Sequence, residues 1–306
     1  MKYAPVILFA YNRPWHTLQT LQSLKKNVLA SESTLFIYID GPKKEASDEQ
    51  RNKIDEVKQI CGQEKWCGEV QIIQSEDNKG LSASVMSGVT EIVNRYGKVI
   101  VLEDDLVSDI YFLKFMNDTL EMYEKDESVV SVTGYIYPIP EKLPETFFLK
   151  GADCWGWATW KRAWDLLELD GKMLLSELNE KKLANDFNFY ETYPYTQMLE
   201  DQVQGKNNSW AILWYASAYL KNKFTLYPGF SLIQNIGNDN SGTHSHNTDK
   251  FHVKLQSRPV EIKKQDVTED VSAKKKISHF FESLKEEKKP GFMDHLKNRF
   301  RRILNG

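Results

Sequence analysis

The apolar positions of this chain fall into short runs, separated by stretches whose apolar residues carry helical spacing. The first run, 6–10, reads Val-Ile-Leu-Phe-Ala, and Tyr11-Asn12-Arg13-Pro14 closes it with turn chemistry. Pro14 suits the first turn of a helix, and Leu18, Leu21 and Leu24 continue it. A second run at 35–39 ends in Asp40-Gly41-Pro42, and a polar helix is expected over about 47–60. A third, 70–74, ends in Ser75-Glu76-Asp77-Asn78-Lys79-Gly80, ahead of a helix with Leu81, Val85, Val89 and Val93 along one side. The fourth run, Val99-Ile100-Val101-Leu102, shows no polar alternation and reads as a strand buried on both faces. Strands alternating with helices every 25–35 residues predict an α/β fold with a mainly parallel sheet.

Directly after the fourth run stand three carboxylates, Glu103, Asp104 and Asp105. Three adjacent charges lose too much hydration to be buried without partners. They are therefore expected at the exposed carboxyl end of the strand, where open α/β sheets bind ligands. Hard oxygen donors there suit Mg²⁺ or Mn²⁺, and such a metal suits a diphosphate. A solvated acidic turn is the plain alternative. Arg13, Asp40 and Asp77 end the other strands, so a single cleft along one sheet edge is expected. The chain has no GxGxxG and no Walker loop, which excludes the standard dinucleotide fold and the P-loop enzymes.

The second half changes character. Phe112, Phe115 and Leu120 predict a helix over the site, and 129–133 a further strand. Trp155, Trp157, Trp160 and Trp164 then crowd into ten residues. This reads as a structural aromatic cluster or as a sugar-stacking wall, and Gly156 allows close backbone approach. Residues 166–208 are polar and helical, an insertion or lid with Glu200 and Asp201 near its end; an apolar helix over 209–220 and a short strand at 224–227 follow. A donor-rich loop leads to His244, which is either structural or part of a phosphate cradle. In the tail, Ile277, Phe280, Phe281 and Leu284 form one helical stripe, and Met293, Leu296, Phe300 and Ile303 another, flanked by Lys297, Arg299, Arg301 and Arg302. Such a helix lies on an anionic membrane or packs on protein.

Composition narrows the picture little. The 306 residues are 41% hydrophobic and 27% charged, as in ordinary soluble proteins. No secretory signal and no apolar run of about 20 residues is evident. Cys61, Cys67 and Cys154 are too few and scattered for a disulfide framework, which points to a reducing compartment. A net charge of −3 implies no general nucleic-acid partner, although 274–306 holds ten Lys/Arg against four Asp/Glu.

Residues 4–245 resemble the GT-A glycosyltransferases, in particular bacterial family-two-like sugar transferases. Five blocks carry the resemblance in order. They are Pro5 to Pro14, Asn78-Lys79-Gly80-Leu81, Leu102-Glu103-Asp104-Asp105, Trp155-Gly156-Trp157-Ala158-Thr159-Trp160, and Asn235-Ile236-Gly237 through Gly242-Thr243-His244. The Glu-Asp-Asp form is similar to that of the GlcNAc-transferase I type. The resemblance implies a GT-A domain over 1–270: a nucleotide-sugar half at 1–134, an acceptor half at 135–270 with the helical insertion, and a smaller acceptor-side sheet. The basic helical tail, 271–306, lies outside it. It further implies an inverting, metal-dependent transferase moving a sugar, from UDP by family habit, to a bacterial surface glycan or lipid-linked precursor. The setting would be cytoplasmic, peripheral on the inner face of the plasma membrane. Asp105 and His244 would hold Mn²⁺ or Mg²⁺. Ala10, Tyr11, Asn12, Arg13, Asp40, Asp77, Asn78, Gly80, Glu103, Asp104 and Trp157 would bind the nucleotide-sugar, and Asp201, seconded by Glu200, would be the base. A nucleotidyltransferase and a non-catalytic carbohydrate-binding protein on the same scaffold are the rival readings. The first usually wants a Gly- and basic-rich N-terminal loop, which is missing here.

Overall fold

A computed structural model describes residues 2–239 and 248–286. The first part alternates as the pattern predicts: β1 (Val6–Ala10), α1 (Pro14–Lys25), β2 (Thr34–Ile39), α2 (Asp48–Gly62), β3 (Glu69–Gln74), α3 (Leu81–Tyr96) and β4 (Lys98–Glu103). Pro14 opens α1 in the first helical turn, and a Ser47–Gln50 capping box starts α2. There follow β5 (Leu106–Ser108), α4 (Phe112–Met122), β6 (Val129–Thr133), β7 (Thr146–Lys150), β8 (Trp157–Trp160) and α5 (Lys161–Trp164). The remainder comprises α6 (Gly171–Glu180), α7 (Ala184–Phe187), α8 (Tyr195–Val203), α9 (Trp210–Leu220), β9 (Phe224–Pro228), β10 (Ile233–Asn235) and α10 (Val271–Glu286).

Eight strands form one sheet in the order β3-β2-β1-β4-β8-β6-β9-β7. Only β8 and β7 run against the other six. The sheet is therefore mainly parallel, with helices flanking it. Ala10 pairs with Ile39, Ile39 with Gln74, and Phe9 with Glu103, so the carboxyl ends of β1 to β4 share one edge. β10 and β5 make the smaller sheet, antiparallel, with Asn235 opposite Leu106.

β6 ends at Thr133 and lies between β8 and β9, both drawn from beyond it in sequence. Of the two settings open to the tail, its described part takes the protein one. Ala273, Ile277 and Phe281 of α10 are buried in a second core with Leu174, Leu178, Phe187 and Leu199. The first stripe of the tail thus packs on protein, and the 166–208 segment forms a wall of this core. Lys274 is pinned there too, its Nζ 2.7 Å from Asp186 and 3.2 Å from Glu269. The second stripe, from Met293 to Ile303, lies outside the described residues. No helix among the described residues is long and apolar enough to cross a membrane.

Because Phe281 is 1% exposed and meets Tyr137, Tyr193 and Phe189, Phe281→Ala is expected to cost about 3 kcal/mol of stability. Urea unfolding measures this; an unchanged midpoint would mean that α10 is only loosely attached.

Candidate active site

The site is built where β4 leaves the core. Val99 to Leu102 are fully buried, and the chain then turns outward through the acid triplet into β5. Arg13, at the end of β1, reaches across 91 residues of sequence to bridge two of the acids. Its guanidinium bonds Asp104 and stands 2.8 Å from Asp105. The planar fork of arginine suits such a double contact. α1 faces this bend with small polar side chains because the bend has backbone groups to satisfy. Thr20 Oγ1 donates to the Asp104 carbonyl at 2.9 Å, and Ser23 Oγ accepts the Ser108 N–H at 2.9 Å.

The late Asn-Ile-Gly block closes over the same acids. Ile236 N–H donates to the Asp105 carbonyl at 2.9 Å, extending the β5–β10 pairing. Gly237 lies so close that a Cβ there would overlap the Asp105 carboxylate and sit 3.1 Å from Arg13 Nη1. A side chain at 237 would have to displace that carboxylate. Next to it, buried His16 of α1 meets Asp239 at 3.0 Å. Three blocks far apart in sequence therefore converge on one strand end.

One guanidinium faces three carboxyls, and the balance is visible in their protonation. Burial, then the neighbouring Asp105 and Asp104, push Glu103 up to about 8. Burial likewise raises Asp104 against the pull of Arg13. Burial alone would lower Arg13, but Asp104 and Asp105 raise it above its ordinary value. The excess negative charge of the cluster suits a hard divalent cation. Among the described residues no three His, Cys, Asp or Glu side chains converge as a metal cage. Mg²⁺ and Mn²⁺ bind through one or two carboxylates and keep phosphate and water ligands, and Asp105, paired with Arg13, is one carboxylate at this strand end.

The second and third strand ends are tied to each other. Asp40 Oδ1 accepts from the N–H groups of Gly41 and Lys79, each at 2.9 Å. Its Oδ2 accepts from Asn78 Nδ2 at 3.0 Å and from Gly80 N–H at 2.9 Å. The four acceptor positions of the carboxylate are filled, so Asp40 acts here as a clamp between two loops and offers no free face to a base. Asn78 and Gly80 are its partners, and Asn78 Nδ2 also reaches the Gly41 carbonyl at 2.9 Å. Asp77 is exposed beside them. Ala10 is buried, its carbonyl taking the Asp40 N–H at 3.0 Å, while Tyr11 and Asn12 are half-buried in the turn before Arg13.

Other expected residues stand elsewhere. Trp157 is 0% exposed and packs with Trp164, Trp210 and Trp214 at centroid distances of 5.7, 5.4 and 6.3 Å. It is a core residue and cannot touch a nucleotide-sugar; the half-open tryptophan is Trp155. Asp201 lies on α8, where its carboxylate takes Gln197 Nε2 at 3.1 Å and Lys206 Nζ at 3.5 Å. No described contact joins Asp201 or Glu200 to the acid triplet. His244 lies outside the described residues. Sequence reasoning passed over His16, whose spacing on α1 marks only a buried helix face, and Asp153, discussed below with its surroundings.

No protein-family model matches the sequence, and no curated protein matches it. Among solved structures, the chain is similar to TarS 1–349 of S. aureus, at 12% identity and TM-score 0.39, over 76% of this chain and 59% of that one. It is similar to a UDP-glucose pyrophosphorylase complexed with UDP-glucose, at 12% identity and TM-score 0.36, over 74% and 91%. Mouse xyloside xylosyltransferase 1 follows at 9% identity and TM-score 0.31, over 71% and 80%. The chain thus spans less than two thirds of the TarS fragment. At these scores the likenesses fix neither family nor activity, and the chemistry has to be read from the site itself.

The raised Glu103 carboxyl gives a pH signature. A group held above its unfolded value of about 4.3 stabilises the fold fully below that value, and the contribution is lost as pH rises through about 8. Glu103→Gln mimics the protonated form. It is expected to gain on the wild type by about 3 kcal/mol between pH 5.5 and 8.5, read by urea unfolding of the ligand-free protein at both values; parallel pH profiles would contradict the assignment.

Proposed function

We propose that this chain is an inverting, metal-dependent glycosyltransferase that uses a nucleotide-sugar donor. The observation that carries the reading is the Arg13 bridge over Asp104 and Asp105, with Gly237 pressed against Asp105 and Arg13, at the carboxyl edge of a mainly parallel sheet, where such folds bind ligands. The arrangement combines a fork donor for phosphate oxygens with hard oxygen donors for a divalent ion. Mn²⁺ or Mg²⁺ held through Asp105 would supply Lewis-acid stabilisation of the leaving diphosphate. Arg13 lies where it can exchange an aspartate contact for a phosphate oxygen. Asp104 would keep that fork in place, and the Asp40 clamp would fix the loops beside the base and ribose. The donor is read as a UDP-sugar from family habit. Direct displacement at the anomeric carbon also requires a carboxylate on the acceptor side to receive the hydroxyl proton. A binding protein needs none of the metal dependence that this donor set implies.

The first test is calorimetric titration of nucleoside diphosphates and nucleotide-sugars with Mn²⁺, with EDTA, and with Asp105→Ala. Metal-dependent binding of one nucleotide, weakened at least about 100-fold by the substitution, is expected. Equal binding in EDTA, or none with any nucleotide, would return the acids to a structural role.

For the acceptor we favour a bacterial surface glycan or its lipid-linked precursor, reached from an anionic membrane surface. The support is the sequence of 287–306, since the stripe on α10 is already used in the second core. Flotation on vesicles containing anionic lipid should be lost on deleting 287–306. Equal flotation of both forms would remove the membrane from the picture.

A further inference from the structure

Across the sheet edge from the acid triplet lies a second carboxyl with a different setting. β8 enters the sheet antiparallel to β4, with Trp157 opposite Val101. The residues before Trp157 therefore leave the sheet at the edge where Glu103 ends β4. This lead-in, 151–156, turns at Gly151 (φ 96°) and Gly156 (φ 62°), both in the left-handed region that favours glycine. Between them stands Asp153. Its Oδ1 accepts the N–H of Cys154 at 2.7 Å and of Trp155 at 3.4 Å, and its Oδ2 accepts the Tyr227 hydroxyl at 3.4 Å. A carboxylate has about four acceptor positions, so one on Oδ2 is left over. Asp40 has none to spare.

The surroundings are aromatic. Tyr137, Tyr193, Tyr195, Asp153 and Trp155 all keep partial access to solvent. Yet burial raises the Asp153 carboxyl and the phenols of Tyr137, Tyr193 and Tyr195, and the Asp153 charge adds to each phenol. Groups that touch water while protein surrounds them line a cleft rather than a convex surface. Tyr193 and Tyr195 stack at 4.5 Å, and Trp155 stands edge-on to Tyr135 at 4.7 Å and to Phe251 at 5.9 Å. The thiol of Cys154 is raised by burial and then by the charges of Asp153, Glu103 and Asp105 together. The two acidic centres thus share one neighbourhood, with Cys154 between them.

Building on the transferase reading above, we infer that this cleft is the acceptor-sugar subsite and that Asp153 receives the proton of the attacking hydroxyl. A carboxylate with an open acceptor position suits a sugar hydroxyl, and the aromatic wall suits the apolar face of a pyranose ring. In the step, the acceptor oxygen forms its bond to the anomeric carbon. The bond from that carbon to the diphosphate oxygen breaks, its electron pair leaves with the diphosphate, and the hydroxyl proton passes to Asp153. The raised setting of the carboxyl favours uptake of that proton.

Two substitutions test this, Asp153→Asn and Trp155→Ala, with Asp201→Asn as the control. Calorimetry with Mg²⁺ and UDP, and then the other nucleoside diphosphates, shows whether the donor site is intact and the variants folded. Saturation-transfer NMR with methyl glycosides of glucose, galactose and N-acetylglucosamine, in the presence of Mg²⁺ and the diphosphate, reads the acceptor side. Hydrolysis of the matching nucleotide-sugar, with water as acceptor, reads the proton transfer. We expect diphosphate affinity within about twofold of wild type in all three variants. Glycoside contact is expected to be lost in Asp153→Asn and Trp155→Ala but kept in Asp201→Asn. Hydrolysis should fall at least about 100-fold in Asp153→Asn. Glycoside contact absent from the wild type, or unchanged in Asp153→Asn, overturns the subsite; so does a hydrolysis loss that appears in Asp201→Asn instead. A wild type that binds no diphosphate at all sinks the transferase reading itself, a different result from loss of the acceptor side alone.

Discussion

Three carboxyls at the end of a buried strand, two of them held by a single guanidinium, set the terms for the rest of this structure. The strand must be apolar to cross the core, and acids buried where it ends need partners because little water reaches them. Arg13 answers two of the three, which ties the first loop of the chain to β4. Thr20 and Ser23 then have to be small and polar so that α1 can lie against the bend. Glycine at 237 leaves the space that the Asp105 carboxylate and Arg13 occupy. Each of these choices follows from the one before it, and together they place three distant blocks of sequence within contact of one another.

Much of this was legible in the chain itself. The runs at β1, β2, β3 and β4 announced a parallel sheet, and the polar groups after them announced the edge on which chemistry would gather. That logic works because a strand buried on both faces has no other place for a charge. It failed where a different constraint governed. β7 and β8 carry Phe, Trp, Thr and Ala on both faces, with neither alternation nor an aliphatic run, so nothing marked them as strands. Four tryptophans close in sequence read as a core cluster or a sugar wall, and only the family resemblance put Trp157 at the donor. In fact the cluster draws on Trp210 and Trp214 of α9, a contact set by tertiary packing alone. Asp40 carried the right residue type at the right strand end. Its partners, Asn78, Lys79 and Gly80, show that sequence position cannot tell a free carboxylate from a saturated one. The helical period of the tail was correct, but amphipathicity states only that a face will be covered. Here protein covers the first stripe.

The main core and the second core are joined through one helix. α9 lends Trp210 and Trp214 to the main core and Ile212, Leu213 and Tyr215 to the other, so one helix belongs to both. α10 then seals the far side through Ile277 and Phe281, with Lys274 neutralising Asp186 and Glu269 as it docks. Phe280 and Phe281 of this helix lie against Tyr137, which also borders the Asp153 cleft. The end of the chain thus braces a wall that begins 130 residues earlier.

The antiparallel seat of β8 beside β4 has a consequence for how such a site tolerates change. The acid triplet and the 151–156 loop hang from two strands of one hydrogen-bonded ladder, whose step is about 3.4 Å per residue. The strand ends from which both loops start are therefore set by register, with no hinge between them. A slip of one residue would turn every β8 side chain to the other face and put Trp157 where Ala158 and Trp160 now pack. Errors in register are thus coupled to loss of folding.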